Sequence, residues 1–232
     1  MLVEKKIGII IFSRYNSSRF PGKALIKIKG RELLGHVLDR AKKIGNEFTI
    51  VVATSLEKSD DKIEEFALSE NVKVFRGSLI NVMERAIECC KKFNFHSFAR
   101  ICGDRPLFCP DIVRELIHFH KTNSMQLTTN KKKKTFPDGF TSEIIDVKSL
   151  SKISKKNKVK EDFEHITNYF YKNSNDFRIY NLESPIDGIS NLNCTVDYPK
   201  DIKKITKIMG NKKIIPADLT FNQIINNLKK YS

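Results

Sequence analysis

The segment Ser13–Lys23, SRYNSSRFPGK, gathers Arg14, Arg19 and Lys23 with three serines, a proline and a glycine. It follows directly on the apolar run Ile7–Phe12, IGIIIF. Such a loop has the chemistry to hold a polyanion. A strand end delivers backbone N–H groups that successive turns can gather into an anion nest. Ser17 and Ser18 add hydroxyl donors, Arg14 and Arg19 can fork onto phosphate oxygens, and Lys23 is a point charge. Pro21 and Gly22 turn the chain so that Lys23 can face back toward Arg14. The loop is neither GxxxxGK[ST] nor GxGxxG, and an exposed polar loop with incidental cations has the same spacing. Asp104 in GDRP and Asp197 in VDYP each stand two residues before a proline at the end of an apolar run. Taken alone, each also reads as a turn residue.

These side chains need a scaffold, and the hydrophobic pattern supplies one. KIGIIIF, FTIVVAT, NVKVF, HSFARIC and SMQLTTN read as strands, the first buried on both faces because it is continuously apolar. Helical patterns lie between them. RELLGHVLDRAKKIG carries Leu33, Leu34, Val37, Leu38 and Ala41 at helical spacing and ends at Gly45. SDDKIEEFALSE starts on Ser59, Asp60 and Asp61, INVMERAIECCKKF follows, and PDIVRELIHFHKT opens on Pro110. The alternation predicts an α/β fold, a Rossmann-like, mostly parallel sheet with helices on both faces. Ligands then sit beyond the carboxyl ends of the strands. The expectation is a single domain over 1–232 with an insertion at about 130–189, an α+β lid or dimerisation segment. Within it FPDGFTSEIIDV reads as a turn and strand, EDFEHITNYFYKN as one amphipathic helix with Phe163, Ile166, Tyr169 and Phe170 on one face, and FRIYNLE as a strand. NCTVDYPKDIKKITKIM reads as a short strand running into a helix.

Composition narrows the function classes. The chain has 232 residues and a formal net charge of +15, which calls for an anionic partner. Residues 131–160 hold ten lysines against three acids, so much of the excess sits in one segment. Its run NKKKKT (Asn130–Thr135) reads as a solvated, mobile loop. That concentration, with no RNP, KH or helix-turn-helix pattern, argues against a nucleic-acid-binding module. The five cysteines form no CxxC pair and no histidine cluster accompanies them, so neither zinc nor a disulfide framework is expected. No apolar run approaches the ~20 residues of a membrane span. MLVEKKIGII lacks a signal-peptide pattern, and a cytoplasmic protein is expected.

The loop resembles the ARxxSxRxPGK opening of bacterial sugar cytidylyltransferases, the CMP-Kdo and CMP-sialate synthetases and above all the spore-coat-polysaccharide cytidylyltransferases. Further segments are similar in the same order. VFRGSLINVMERA is similar to frGsxxDVLxR, ARICGDRPLFCP to RxxxDxPLxxP, FPDGFTSEII to yPdGxxxE, EHIT to EHVT, and TVDYPKDI to tvDtpeDl. Together they span Ile7 to about Ile205. Three positions depart. Cys102 stands where the Kdo enzymes carry glutamine, Asn81 replaces a common aspartate, and Ser13 replaces the alanine before Arg14. These point away from a standard Kdo synthetase and bear on the acceptor more than on the reaction.

The resemblance implies a nucleotide-diphospho-sugar transferase fold and a Mg2+-dependent enzyme. It would join CTP to an acidic sugar, or a phosphorylated or phosphonate acceptor, and release pyrophosphate for surface polysaccharide synthesis. Arg14, Lys23 and Asp104 would be catalytic, and Asp104 and Asp197 would hold the metal. Ser17, Ser18, Arg19, Gly22, Gly77, Ser78, Asn81 and Arg85 would bind the nucleotide; helix capping by Asn81 and a surface ion pair for Arg85 are the competing readings. Arg100, Glu143 and His165 would meet the acceptor, though a packed or interface role is the reading its own sequence context favours for His165. A homodimer is expected. A nucleotidyltransferase of similar fold using another nucleotide is the nearest alternative.

Overall fold

A computed structural model describes residues 6–156, 159–210 and 215–231; the N-terminal stretch Met1–Lys5 read above lies outside the described residues. Four parallel strands form one side of the sheet: β1 (Ile7–Phe12), β4 (Thr49–Ser55), β5 (Lys73–Gly77) and β6 (Ser97–Cys102). A small hairpin, β2 (Lys27–Ile28) with β3 (Arg31–Glu32), stands apart from them. The sheet continues through β7 (Leu127–Thr129), β8 (Glu143–Asp146) and β9 (Ile179–Asn181), in the order β5-β4-β1-β6-β8-β7-β9. β8 runs antiparallel to both β6 and β7. The expected insertion therefore adds two strands to the same sheet.

Helices cover both faces. β1 shows why its sequence is continuously apolar: Ile9 and Ile11 pack into one layer and Ile10 into the other. Period-two geometry sends neighbouring side chains to opposite faces, and both faces are covered. The first layer holds α1 (Leu33–Lys42), α2 (Asp61–Ser69), α4 (Pro110–Thr122), α8 (Pro199–Ile208) and α9 (Phe221–Tyr231). The second holds α3 (Val82–Phe93) and α5 (Val147–Lys156), with Ile166 and Phe170. Each fully buried isoleucine contributes roughly 1.5–3 kcal/mol by leaving water.

Two expectations are corrected. The single helix over EDFEHITNYFYKN is two short ones, α6 (Lys160–Glu164) and α7 (Asn168–Lys172). His165 leaves helical geometry, and the break buries the consecutive β-branched residues Ile166 and Thr167. No strand forms ahead of Asp197; a single bridge joins Asn193 to Asp138. There the Asn193 side chain accepts the Thr195 N–H (2.7 Å) and hydroxyl (2.8 Å), a local turn that competes with a ladder. The lysine tract is an exposed loop, as its composition implies, with local partners. Lys133 pairs with Glu183 (2.8 Å) and Lys134 with Asp138 (3.5 Å), the Lys133 N–H donates to Asn181, and the Thr135 hydroxyl accepts the Ser184 N–H.

Candidate active site

β1 and β6 lie side by side, and their carboxyl ends open into a cavity of about 430 Å³. The β1 loop and the β6 loop meet there because Gly103 has no side chain: a Cβ would stand 2.9 Å from Ser13, while the Gly103 N–H donates to the Phe12 carbonyl at 2.9 Å. Farther along the loop, Gly22 turns the chain at φ 74°, a left-handed conformation that favours glycine, with its N–H on the Tyr15 carbonyl at 2.7 Å. The turn sends Lys23 back under the loop.

Of the expected residues, Arg14, Ser17, Ser18, Arg19, Lys23, Arg85, Arg100, Asp104 and His165 line the cavity. Five of its side chains are cationic and two, Asp104 and Glu164, are acidic. Such a lining suits a polyanion. Lys23 is the hub. Its buried Nζ donates to Asp104 Oδ2 at 2.8 Å and to the Val196 carbonyl at 2.7 Å, and lies 3.4 Å from Asp197 Oδ1. Arg19 donates to the same Asp197 oxygen at 2.5 Å, and the Thr195 hydroxyl, whose proton goes to Asn193, lies 3.1 Å from Oδ2. Asp201 holds this turn from below, accepting the backbone N–H groups of Asp197 and Tyr198 at 2.9 and 2.8 Å.

Two arginines form the floor. Arg85 is buried, its guanidinium 5.7 Å from the Phe12 ring and its Nη1 donating to the Ser78 carbonyl at 3.3 Å. Burial draws its pKa down to about 10, opposed by Asp60 and reinforced by Arg14. Arg100 pairs with Glu143 at 2.7 Å. Burial alone would raise the Glu143 carboxyl. Arg100, with Lys131 and the Tyr171 and Thr167 hydroxyls, outweighs it and holds the pKa at about 2. At the mouth, Arg14 lies 3.7 Å from Glu164. Cys102, half-buried, also lines the cavity.

The structure separates several expected residues from this lining. Glu143 is buried beneath it, with one oxygen on Arg100 and the other accepting the Tyr171 hydroxyl at 2.6 Å. Asn81 caps α3, its side-chain oxygen accepting the Glu84 N–H at 3.0 Å. Ser78 braces that turn, accepting the Asn81 N–H. Gly77 packs against Arg85: a Cβ there would meet its side chain at 2.9 Å. Gly22 shapes the loop, and Asp197 touches the cavity through Lys23 and Arg19. Sequence reading missed Asp60, Glu164, Thr195 and Tyr171 in these roles. Asp60 was visible only as a helix-starting residue.

Asp104 and Asp197 approach one ammonium, so a single cation can meet both. That donor set fits Mg2+, which takes one or two carboxylates and fills its shell with phosphate oxygens and water. Among the described residues no group of three or more His, Cys, Asp or Glu could hold a metal alone.

Comparison with known proteins gives the family of the chain. The cytidylyltransferase family model matches residues 8–219. An uncharacterised protein of Methanocaldococcus jannaschii is 33% identical, covering 97% of this chain and 91% of its own length. The spore coat polysaccharide biosynthesis protein SpsF of Bacillus subtilis is 25% identical over 97% of this chain and 94% of its own. A solved cytidylyltransferase of Leptospira borgpetersenii superposes with a TM-score of 0.90 at 27% identity, covering 97% and 94% of the two chains. The chain belongs to the cytidylyltransferase family, and it is a nucleotidyltransferase.

Proposed function

We propose that this enzyme transfers CMP from CTP to an anionic acceptor, an acidic sugar or a phosphorylated or phosphonate compound, with Mg2+ as cofactor. The product would be an activated donor for surface polysaccharide. The observation that carries this reading is the convergence of Arg14, Arg19 and Lys23 with Asp104 and Asp197 at the carboxyl ends of β1 and β6. An acceptor oxyanion, already free of its proton, attacks the α-phosphorus; the new O–P bond forms as the bond to the bridging oxygen breaks, and pyrophosphate leaves with that electron pair. The protein aligns the two reactants and neutralises developing charge. Arg14, Arg19 and Lys23 grip the triphosphate, with Ser17 and Ser18 as neutral donors. Arg100, held by Glu143, presents a fixed cation to the acceptor's acid group, and His165 lines the same cavity. Asp104 and Asp197 would hold Mg2+, which supplies charge neutralisation at the phosphates when bound. The 130–189 segment joins the site through Glu164 and His165, and a homodimer through that segment belongs to the same reading. Five free thiols suit a reducing, cytoplasmic setting.

The test is a melting measurement with each of four NTPs, with and without Mg2+. A ligand that binds the folded state alone raises the midpoint. A rise selective for CTP is expected. A rise selective for another nucleotide reassigns the base, and indifference to all four overturns the reading.

A further inference from the structure

We infer that Lys23 is an internal counter-ion that keeps the two-aspartate site closed to free divalent cations, so that metal and triphosphate bind as a pair. The inference rests on the proposed use of a nucleoside triphosphate and concerns the order in which the site fills. An ammonium has three N–H donors. Lys23 faces an acceptor with each of them: the Val196 carbonyl at 2.7 Å, Asp104 at 2.8 Å and Asp197 at 3.4 Å. Asp197 is further occupied by Arg19. Two carboxylates and two cations thus cancel at this point before any ligand arrives.

A lone dication that took both aspartates would strand the Lys23 ammonium. Lys23 is 8% exposed, and its ammonium would keep only the Val196 carbonyl while facing a like charge. Breaking one side of a buried ion pair is strongly destabilising because the remaining charge is uncompensated. The triphosphate changes the balance. Its oxygens offer Lys23 and Arg19 new acceptors beside Arg14, Ser17 and Ser18, and the carboxylates are released as the cations turn to the phosphates. Each ligand then strengthens the other by the same factor.

The test uses Mn2+ alone, read by the electron paramagnetic resonance of the free ion, on the full chain without nucleotide. The wild type is expected to show no site tighter than about millimolar, and Lys23→Met to bind one Mn2+ at least about tenfold tighter. Adding Asp104→Asn to Lys23→Met should remove that site. CTP should tighten Mn2+ binding to the wild type by a similar factor. A wild type that binds one Mn2+ equally well with and without CTP overturns the inference. So does a folded Lys23→Met that binds Mn2+ no tighter than the wild type. If Lys23→Met does not fold, the wild-type pair with and without CTP decides. If CTP is the wrong nucleotide, the melting series shows it, and the nucleotide-free Lys23→Met titration still reads the counter-ion.

Discussion

Asp60 accepts the backbone N–H of Tyr15 at 2.6 Å, joining the end of β4 to the loop that carries Arg14, Arg19 and Lys23. The same carboxylate takes the N–H and hydroxyl of Ser55. Burial alone would raise its pKa; the bonds from Ser55 and Tyr15 outweigh burial and hold it below the usual carboxylate range. The loop's shape is therefore braced by a residue that does not line the cavity.

Replacing Asp60 by Ala should leave buried donors unpaired and cost about 3 kcal/mol of stability. Turnover should fall by about tenfold or more in the protein that remains folded, because misplaced gripping groups lose orientation. Urea midpoints and pyrophosphate release on the same preparations measure the two effects. Unchanged turnover in Asp60→Ala would show that the loop holds itself.

Lys23→Ala and Asp104→Asn should each lower pyrophosphate release by at least about a hundredfold while the far-ultraviolet dichroism stays native. Both groups meet where charge develops in the proposed reaction. Near-normal turnover in either variant would remove that residue from the catalytic set.

Asn81→Ala should cost about 1 kcal/mol, the usual effect of losing a helix cap, and leave the CTP-dependent rise in melting temperature intact. The bond to the Glu84 N–H is the basis for this. Lost discrimination among nucleotides at unaltered stability would return Asn81 to base recognition.

Glu143 makes a pH prediction. Its folded pKa of about 2 lies below the ordinary 4.5. A depressed carboxylate contributes stability that is fully present above the unfolded pKa and is lost as pH falls through the folded one. The loss should therefore run between about pH 4.5 and 2. Glu143→Gln leaves Arg100 without its counter-charge, should destabilise the protein near neutrality by about 3 kcal/mol, and should flatten that acid limb. Denaturation midpoints across this range read both; an acid limb as steep as the wild type's would place the transition in other carboxylates.

Local pattern alone determined the alternating strands and helices, the doubly buried β1, and the carboxyl edge where Arg14, Lys23 and Asp104 belong. Hydrophobic period and turn residues act within a few positions, so one chain suffices to read them. Three-dimensional packing alone decided the partners. Lys23 meets Asp104 and Asp197 across 81 and 174 residues, Asp60 reaches back 45 to Tyr15, and Arg100 finds Glu143 at a distance of 43. The antiparallel pairing of β8 with β6 brings that last pair together in register. It also explains why Glu143, legible as a candidate ligand for the acceptor, is instead the buried support of Arg100. The periodicity of EDFEHITNYF continues through His165, but burying Ile166 and Thr167 together breaks the helix there and leaves the histidine on the cavity wall. Spacing records which residues share a face of their own element; which charge lies opposite is settled only when separate elements pack and each buried polar group must find a partner.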